Sequence, residues 1–195
     1  MKKILPFLAG MLGLLFLLYG ISSAILWGNV IWYSFFVIGG TLFLGWMNFY
    51  FRNNSIFEKS FSYILKAYVL YLVATLLIEY IGREIFGWWY YPEFSLNEKI
   101  IHVFLIGYPF GLFMIHESWK LIRTKISSFA LALVGTTLIN AFVAEWPNTF
   151  AWEWIYTVPY FPWEIFQINI FIIFMWVFLV FIPIVVEKIL AKKFF

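Results

Sequence analysis

The chain consists of long apolar stretches separated by short polar breaks. The first stretch, residues 4–51, contains 48 residues without a charged side chain. A bilayer core about 30 Å thick is crossed by roughly 20 helical residues, so this stretch holds two crossings, joined by a turn near Gly28 and Asn29. Four further apolar stretches follow. The pattern predicts six transmembrane helices, at about 4–25, 30–51, 61–81, 100–118, 127–144 and 166–186.

Composition supports an integral membrane protein of the all-α class. Charged residues make up 12% of the chain, whereas soluble domains carry about 25%. No hydrophilic segment is long enough for a soluble appendage, so we expect one polytopic helical bundle, a single transmembrane domain over residues 1–195. The net charge of +3 does not indicate a nucleic-acid partner, because the basic residues fall at predicted helix ends.

Lysine and arginine are distributed unequally between the two ends of the predicted helices. Arg83 and Lys99 fall at one end, and ten basic residues fall at the other: Lys2, Lys3, Arg52, Lys59, Lys120, Arg123, Lys125, Lys188, Lys192 and Lys193. Because basic residues are retained on the cytoplasmic side, both termini are predicted to be cytoplasmic. We expect the plasma membrane of a bacterium. The last four residues also fit a dilysine retrieval signal of the eukaryotic secretory pathway, which stays an alternative.

Two connections on the predicted outer side resemble each other, at residues 79–90 and 145–156. They align without gaps at an offset of 66 residues, and three aligned pairs are identical: Glu79 with Glu145, Trp88 with Trp154, and Tyr90 with Tyr156. A duplicated helical hairpin, with helices 3–4 repeated as helices 5–6, accounts for this pattern. Chance also accounts for it, because 25% of the chain is aromatic.

The polar side chains of this outer end are the candidates for a site. Glu79 and Glu145 each close an apolar helix, where an unpaired carboxylate is costly. Each one either faces water or is desolvated and suited to acid–base work. Arg83 can pair with Glu79 if the helix continues. The candidate ligand-binding residues are Glu79, Trp88, Tyr90, His102, Glu145, Asn148, Trp154 and Tyr156.

Aromatic side chains crowd the connection at residues 146–164. They fit an aromatic belt, in which tryptophan and tyrosine lie at the level of the lipid headgroups. They also fit an aromatic-walled pocket for a lipid, an isoprenoid tail or a cation. Three prolines, Pro147, Pro159 and Pro162, are expected to prevent one regular helix here.

Little in the sequence points to metal or triad chemistry. His102 and His116 lie about 21 Å apart along one helix and cannot share a metal. A metal held by Glu79, His102 and Glu145 is conceivable, but no spacing demands it, and we predict no cofactor. The chain has no cysteine and no aspartate, which excludes a cysteine nucleophile, a Ser-His-Asp triad and Asp-rich boxes for magnesium diphosphates. Glu117 is expected to pair with Lys120 or with a neighbouring basic residue at the same end.

A glutamate, a Trp-x-Tyr connection and then a helix with Gly107-Tyr108-Pro109 follow one another. This succession is similar to small membrane proteins of carotenoid biosynthesis, including the lycopene-cyclase domain, which also repeat short helix groups. In that family a proline is followed closely by paired acids at the site. Here Phe110, Gly111 and Leu112 follow Pro109, so the resemblance does not reach the acids, and we assign no family from it.

Three functions stay open. The shortage of intramembrane charge favours a non-enzymatic binding or accessory protein that holds a lipid-like or small amphipathic ligand, or a partner membrane protein, among membrane lipids. A proton-coupled transporter or channel subunit would use Glu79 or Glu145, with a polar path built from Lys66, Asn140, Gln167 and Asn169. An isoprenoid-modifying or carotenoid-modifying enzyme would use a glutamate as proton donor and aromatic faces to stabilise a carbocation.

Overall fold

The structure is a computed structural model that describes residues 4–52, 54–159 and 161–191. Six helices in this part of the chain are long and apolar enough to cross a membrane, which confirms the predicted number and the all-α class. They are α1 (Ile4–Trp27), α2 (Trp32–Arg52), α3 (Phe61–Glu79), α4 (Leu96–Arg123), α5 (Phe129–Ala151) and α6 (Ile170–Leu190). Lys2, Lys3, Lys192 and Lys193, which contribute to the predicted orientation, lie outside the described residues.

The described residues include two wide, π-helical segments, one directly after α3 and one within α4. The chain continues beyond α3 as a π-helical segment at Tyr80–Ile85. Within α4, a π-helical segment at Lys99–Gly107 lies between a short turn at Leu96–Glu98 and a regular helix at Tyr108–Arg123. Such segments hold an extra residue per turn and are frequent at functional sites. Both segments lie at the same end of the bundle, so the departures from regular α-helical geometry are concentrated there.

Helices α4 and α5 are longer than the hydrophobic pattern predicts. α4 begins four residues early because Ser95 and Glu98 form a capping box, in which Glu98 Oε2 accepts the Ser95 backbone N–H at 2.8 Å. α5 continues through Pro147 to Ala151. It ends where Trp152 adopts a left-handed conformation (φ 56°). The predicted end of α5 near residue 144 is therefore wrong, whereas the prediction that residues 146–164 do not form one regular helix is confirmed.

Helix α6 begins later than predicted, at Ile170. The preceding residues form a small hairpin of strands at Glu164–Ile165 and Ile168–Asn169. Phe166 and Gln167 make its two-residue turn with positive φ angles of 52° and 64°. Asn169 then caps α6 by accepting a hydrogen bond from the Phe171 backbone N–H at 2.9 Å. The two-residue turn and the Asn169 cap therefore place the start of α6 at Ile170, although residues 166–169 directly precede the apolar stretch.

Helix α4 lies at the centre of the bundle. It contacts α2, α3, α5 and α6, and it is the most buried of the six, whereas α1 and α3 are the least buried. α1 packs mainly against α2. At Gly39 of α2 a Cβ atom would lie 2.3 Å from the Leu17 backbone nitrogen, so this contact requires glycine.

The two ends of the bundle differ in composition. We call one end the aromatic end; it carries the connections 28–31, 86–95 and 152–169. We call the other the basic end; its described basic residues include Lys59, Lys120, Arg123, Lys125 and Lys188. The predicted pair of Glu117 and Lys120 is confirmed there, at 3.2 Å. Glu117 also accepts hydrogen bonds from Asn48 Nδ2 (2.7 Å) and the Ile56 backbone N–H (3.0 Å).

The polar residues proposed for a transport path lie apart. Lys66 is exposed near the start of α3. Asn140 is buried and donates to Ser118 Oγ and to the Thr136 carbonyl, both at 2.8 Å. Gln167 and Asn169 lie in the hairpin before α6. These four residues therefore do not line one path among the described residues.

Candidate functional site

Glu145 is the centre of a buried hydrogen-bonded cluster at the aromatic end. Its side chain is 3% exposed, although α5 extends one and a half turns beyond it. Oε1 accepts hydrogen bonds from Tyr156 Oη and Trp176 Nε1, both at 2.8 Å, and Oε2 accepts one from Trp154 Nε1 at 3.1 Å. A carboxylate in an apolar surrounding needs such partners. The alternative in which Glu145 faces water is excluded.

Glu79 has the same kind of partners at the end of α3. It is 2% exposed, so it does not face water either. Its Oε1 accepts hydrogen bonds from Trp89 Nε1 (3.1 Å) and Tyr91 Oη (2.8 Å). Its Oε2 lies 3.6 Å from Arg83 Nε, which confirms the predicted pair. The π-helical segment keeps the chain helical and brings Arg83 back toward the carboxylate.

A two-stranded ladder joins the two aromatic connections. Strand β1 (Trp89–Tyr90) pairs antiparallel with β2 (Ile155–Tyr156). The Thr157 backbone N–H adds a hydrogen bond to the Trp88 carbonyl at 2.8 Å. Each connection is thus fixed twice, once to the glutamate of its own helix and once to the other connection.

The hydrogen bonds correct the gapless alignment of the two connections. That alignment pairs Trp88 and Tyr90 with Trp154 and Tyr156, but the residues that bind Glu79 are Trp89 and Tyr91. Trp89 follows Glu79 by ten residues, whereas Trp154 follows Glu145 by nine. The difference of one residue coincides with the π-helical segment Tyr80–Ile85, which holds an extra residue per turn. A gapless comparison therefore aligns the two glutamates but selects Trp88 and Tyr90, one residue before the tryptophan and tyrosine that bind Glu79.

A cavity of about 540 Å³ lies beneath these connections. This volume is within the range of about 300–1,000 Å³ that is usual for small-molecule sites. Its walls are formed mainly by apolar side chains of α3, α4 and α6. Polar groups are concentrated toward the aromatic end: Tyr33, Tyr91, His102, Tyr108, Glu145, Glu153 and Tyr156. The cavity therefore has an apolar part between the helices and a polar part below the connections.

The apolar part of the cavity borders the outer surface of the bundle. Val73 and Leu77 of α3 and Phe178 and Val185 of α6 line the cavity, and all four are exposed. In a helix bundle of this composition such side chains face lipid. The cavity thus reaches the hydrocarbon between α3 and α6.

A second cavity of about 640 Å³ lies at the aromatic end, among the residues of the long connection before α6. Asn148 lines this second cavity rather than the first. Its side chain fixes the connection, because Nδ2 donates to the Trp154 carbonyl (2.7 Å) and Oδ1 accepts from the Trp154 backbone N–H (3.3 Å). Glu145, Trp154 and Tyr156 line both cavities, so this cluster separates them.

Glu153 is a third buried carboxyl group at this end, and no sequence pattern selects it. It lies outside the spanning helices, is 2% exposed and lines the first cavity. Its Oε2 accepts the Tyr33 backbone N–H at 3.3 Å, and Oε1 accepts no hydrogen bond from a described residue. Burial raises the pKa of Glu153 well above its usual value, and the single backbone hydrogen bond opposes this only in part.

The remaining predicted residues divide between the cavity and the surface. His102, in the π-helical segment of α4, lines the first cavity, and its Nδ1 lies 2.9 Å from Ser34 Oγ. Trp88 also lines it and packs edge-to-face on Phe171. Tyr90 is exposed and lines neither cavity. Glu79 itself lies behind Trp89 and Tyr91, which do line the first cavity.

Several residues of the site were missed from the sequence. Trp89 and Tyr91 could have been found by allowing one gap between the two connections. Trp176 lies within an almost wholly apolar helix, where a lone indole N–H is the only polar atom that needs a buried partner. Tyr33 and Glu153 carry no sequence signal, because their contact joins residues 120 positions apart.

Neither similarity to known proteins nor the arrangement of possible metal ligands identifies a ligand for this site. Comparison with protein-family models, with curated proteins and with solved structures finds no match to the chain. Within the described residues, no three side chains of histidine, cysteine, aspartate or glutamate come together in a way that could hold a metal ion.

Replacing Glu153 by glutamine is expected to change how stability depends on pH. Burial raises the pKa of Glu153 in the folded state, so protonation of this group stabilises the fold. Its contribution to the free energy of unfolding is complete below the unfolded pKa of about 4.3 and is lost as pH rises through the folded pKa. Between these two pKa values, the free energy of unfolding of the wild-type protein should fall by up to about 1.4 kcal/mol per pH unit relative to that of Glu153→Gln. Thermal unfolding in mild detergent between about pH 5 and pH 8 measures the difference. Exposed Glu93→Gln is the control, and parallel profiles for Glu153→Gln and wild type would contradict the assignment.

Proposed function

We propose that the protein binds one lipid-like or small amphipathic molecule in the cavity of about 540 Å³. The supporting observation is the polarity of this cavity along the bundle. Apolar side chains of α3 and α6 surround one part, and buried glutamates with tryptophan and tyrosine surround the other. A molecule with an apolar tail and a polar head matches both parts, and the proposed role is binding rather than catalysis.

Entry from the bilayer follows from the position of the cavity. Lining residues such as Val73 and Phe178 are at the lipid-facing surface, so a hydrophobic molecule reaches the site without crossing water. The second cavity lies at the aromatic end, on the other side of the Glu145 cluster, so the polar head of the ligand lies next to a polar region. This arrangement orients the ligand with its tail toward the middle of the bundle.

Filling the cavity is expected to remove the ligand. Ala74 of α3 lines the cavity, and Ala74→Trp should lower the amount of co-purifying amphiphile by about tenfold, which corresponds to about 1.4 kcal/mol. Mass spectrometry of protein extracted in mild detergent measures it. Leu76→Trp, on the exposed face of the same helix, is the control. Equal ligand content in both variants and in wild type would contradict binding in this cavity.

We further propose that both termini are cytoplasmic and the aromatic end is on the outer side of a plasma membrane. The concentration of described basic residues at the opposite end supports this orientation. The chain has no cysteine, so single variants can report on each end. Glu93→Cys should react with a membrane-impermeant maleimide on intact cells, and Lys125→Cys should react only after lysis. The reverse result would require the opposite orientation.

We also propose that α3–α4 and α5–α6 are a duplicated hairpin. The two Glu-Trp-Tyr clusters support this, with Trp89 equivalent to Trp154 and Tyr91 to Tyr156. Tyr90 is then equivalent to Ile155, and these two residues are directly opposite each other in the ladder. A pseudo-twofold axis would pass between them. An experimental structure in which the two hairpins superpose about another axis would contradict the proposal.

A second candidate function is an enzyme that protonates an isoprenoid or carotenoid. Glu153 favours it, because a buried carboxylic acid beside aromatic rings can donate a proton to a double bond, and the rings can stabilise the resulting carbocation. Expression in a carotenoid-producing host should then give a new product that Glu153→Gln abolishes and Glu93→Gln retains. An unchanged product profile with the wild-type protein would remove this candidate.

A further inference from the structure

The polar part of the first cavity has an unbalanced composition. Among the described residues that line it there are two glutamates, Glu145 and Glu153, one histidine, His102, and no lysine or arginine. The nearest described basic side chain of the Glu79 cluster, Arg83, pairs with Glu79 and Glu84 and does not line the cavity. An anionic head would therefore meet carboxyl groups without a counter-charge, whereas a cationic head would supply the charge that the protein lacks.

The two carboxyl groups are not equivalent toward a ligand. Glu145 accepts three hydrogen bonds from Trp154, Tyr156 and Trp176, and its capacity is largely used. Glu153 accepts one, from the Tyr33 backbone, and its second oxygen accepts none from a described residue although the side chain is almost wholly buried. This oxygen belongs to a side chain that lines the cavity and accepts only one hydrogen bond, so an incoming donor or cation would be most favoured at Glu153.

Two aromatic residues line the cavity together with Glu153. Tyr33 and Trp154 both line the cavity next to Glu153, and their rings pack edge-to-face with centroids 5.0 Å apart. Trp32 stacks behind Trp154 at 6.1 Å and is buried. The rings are therefore held in place before any ligand arrives. The negative faces of such rings attract cations, and rings around a carboxylate are a recurrent way of binding an ammonium group.

From these contacts we propose that the bound amphiphile carries an ammonium head, held at the corner formed by Tyr33, Glu153 and Trp154, with its alkyl tail between α3 and α6. The inference rests on the proposed function and specifies its ligand class. Glu145, with its three hydrogen bonds, positions Trp154 and takes no direct part in holding the head.

Three amphiphiles with the same tail test the head group: dodecyltrimethylammonium, dodecanol and dodecyl phosphate. Native mass spectrometry of the wild-type protein in nanodiscs made of uncharged glycolipid counts the molecules bound as each probe is titrated. We expect one saturable molecule of the ammonium probe, bound at least about tenfold more tightly than the alcohol, and no saturable binding of the phosphate. Glu153→Gln should reduce the preference for ammonium over alcohol by about tenfold, and exposed Glu93→Gln should retain it.

The outcomes separate this inference from the proposed function. If the alcohol or the phosphate saturates one site as tightly as the ammonium probe, the inferred head group is wrong and the cavity remains a lipid-like site. If Ala74→Trp leaves ammonium binding unchanged, the head binds elsewhere and the inference is again wrong. If no probe saturates in wild type, both proposals fail. The comparison of probes in wild type needs no variant, so it holds even if Glu153→Gln does not fold.

Discussion

The arrangement of the aromatic end depends on one constraint, the need to satisfy carboxylates that the bundle buries. Glu79, at the end of α3, and Glu145, one and a half turns before the end of α5, are both removed from water. Each obtains an indole N–H and a phenol O–H from the connection that follows its helix. Water cannot replace these donors within the bundle. The donors therefore determine where both connections run, and the ladder between them closes the top of the cavity.

The cavity is a consequence of how those connections are fixed. Trp89, Tyr91, Trp154 and Tyr156 are held at the glutamates and do not fill the space below them. The π-helical segment of α4 forms part of the cavity wall through His102, Val103 and Gly107. Together they leave space between α3, α4 and α6 that closely packed regular helices would occupy. Glu153 reaches this space from a connection, where Tyr33 of α2 holds it.

The sequence predicted the coarse architecture because apolar length and charge spacing depend on single segments. The six helices, the Glu79–Arg83 pair and the Glu117–Lys120 pair were all accessible from local spacing. The start of α6 was not, because a two-residue turn at Phe166 and Gln167 and a cap at Asn169 override the apolar pattern. Nor was the extent of α5, because Pro147 removes one backbone N–H but does not end the helix, which continues to Ala151.

Within the site, the sequence located the end of the bundle but not the partners. Glu79 and Glu145 were found because carboxylates at the end of apolar helices are costly. The gapless alignment selected Trp88 and Tyr90 instead of Trp89 and Tyr91, because it cannot register the extra residue in the π-helical segment after Glu79. Glu153 depends on a contact with distant Tyr33 and could not be foreseen. The position of Val73 and Phe178 at the edge of the cavity has a quantitative consequence for the ligand that we propose: a molecule that enters there is supplied by two-dimensional diffusion. Occupancy then follows its mole fraction in the bilayer, so adding empty lipid depletes the site at a fixed total amount of ligand.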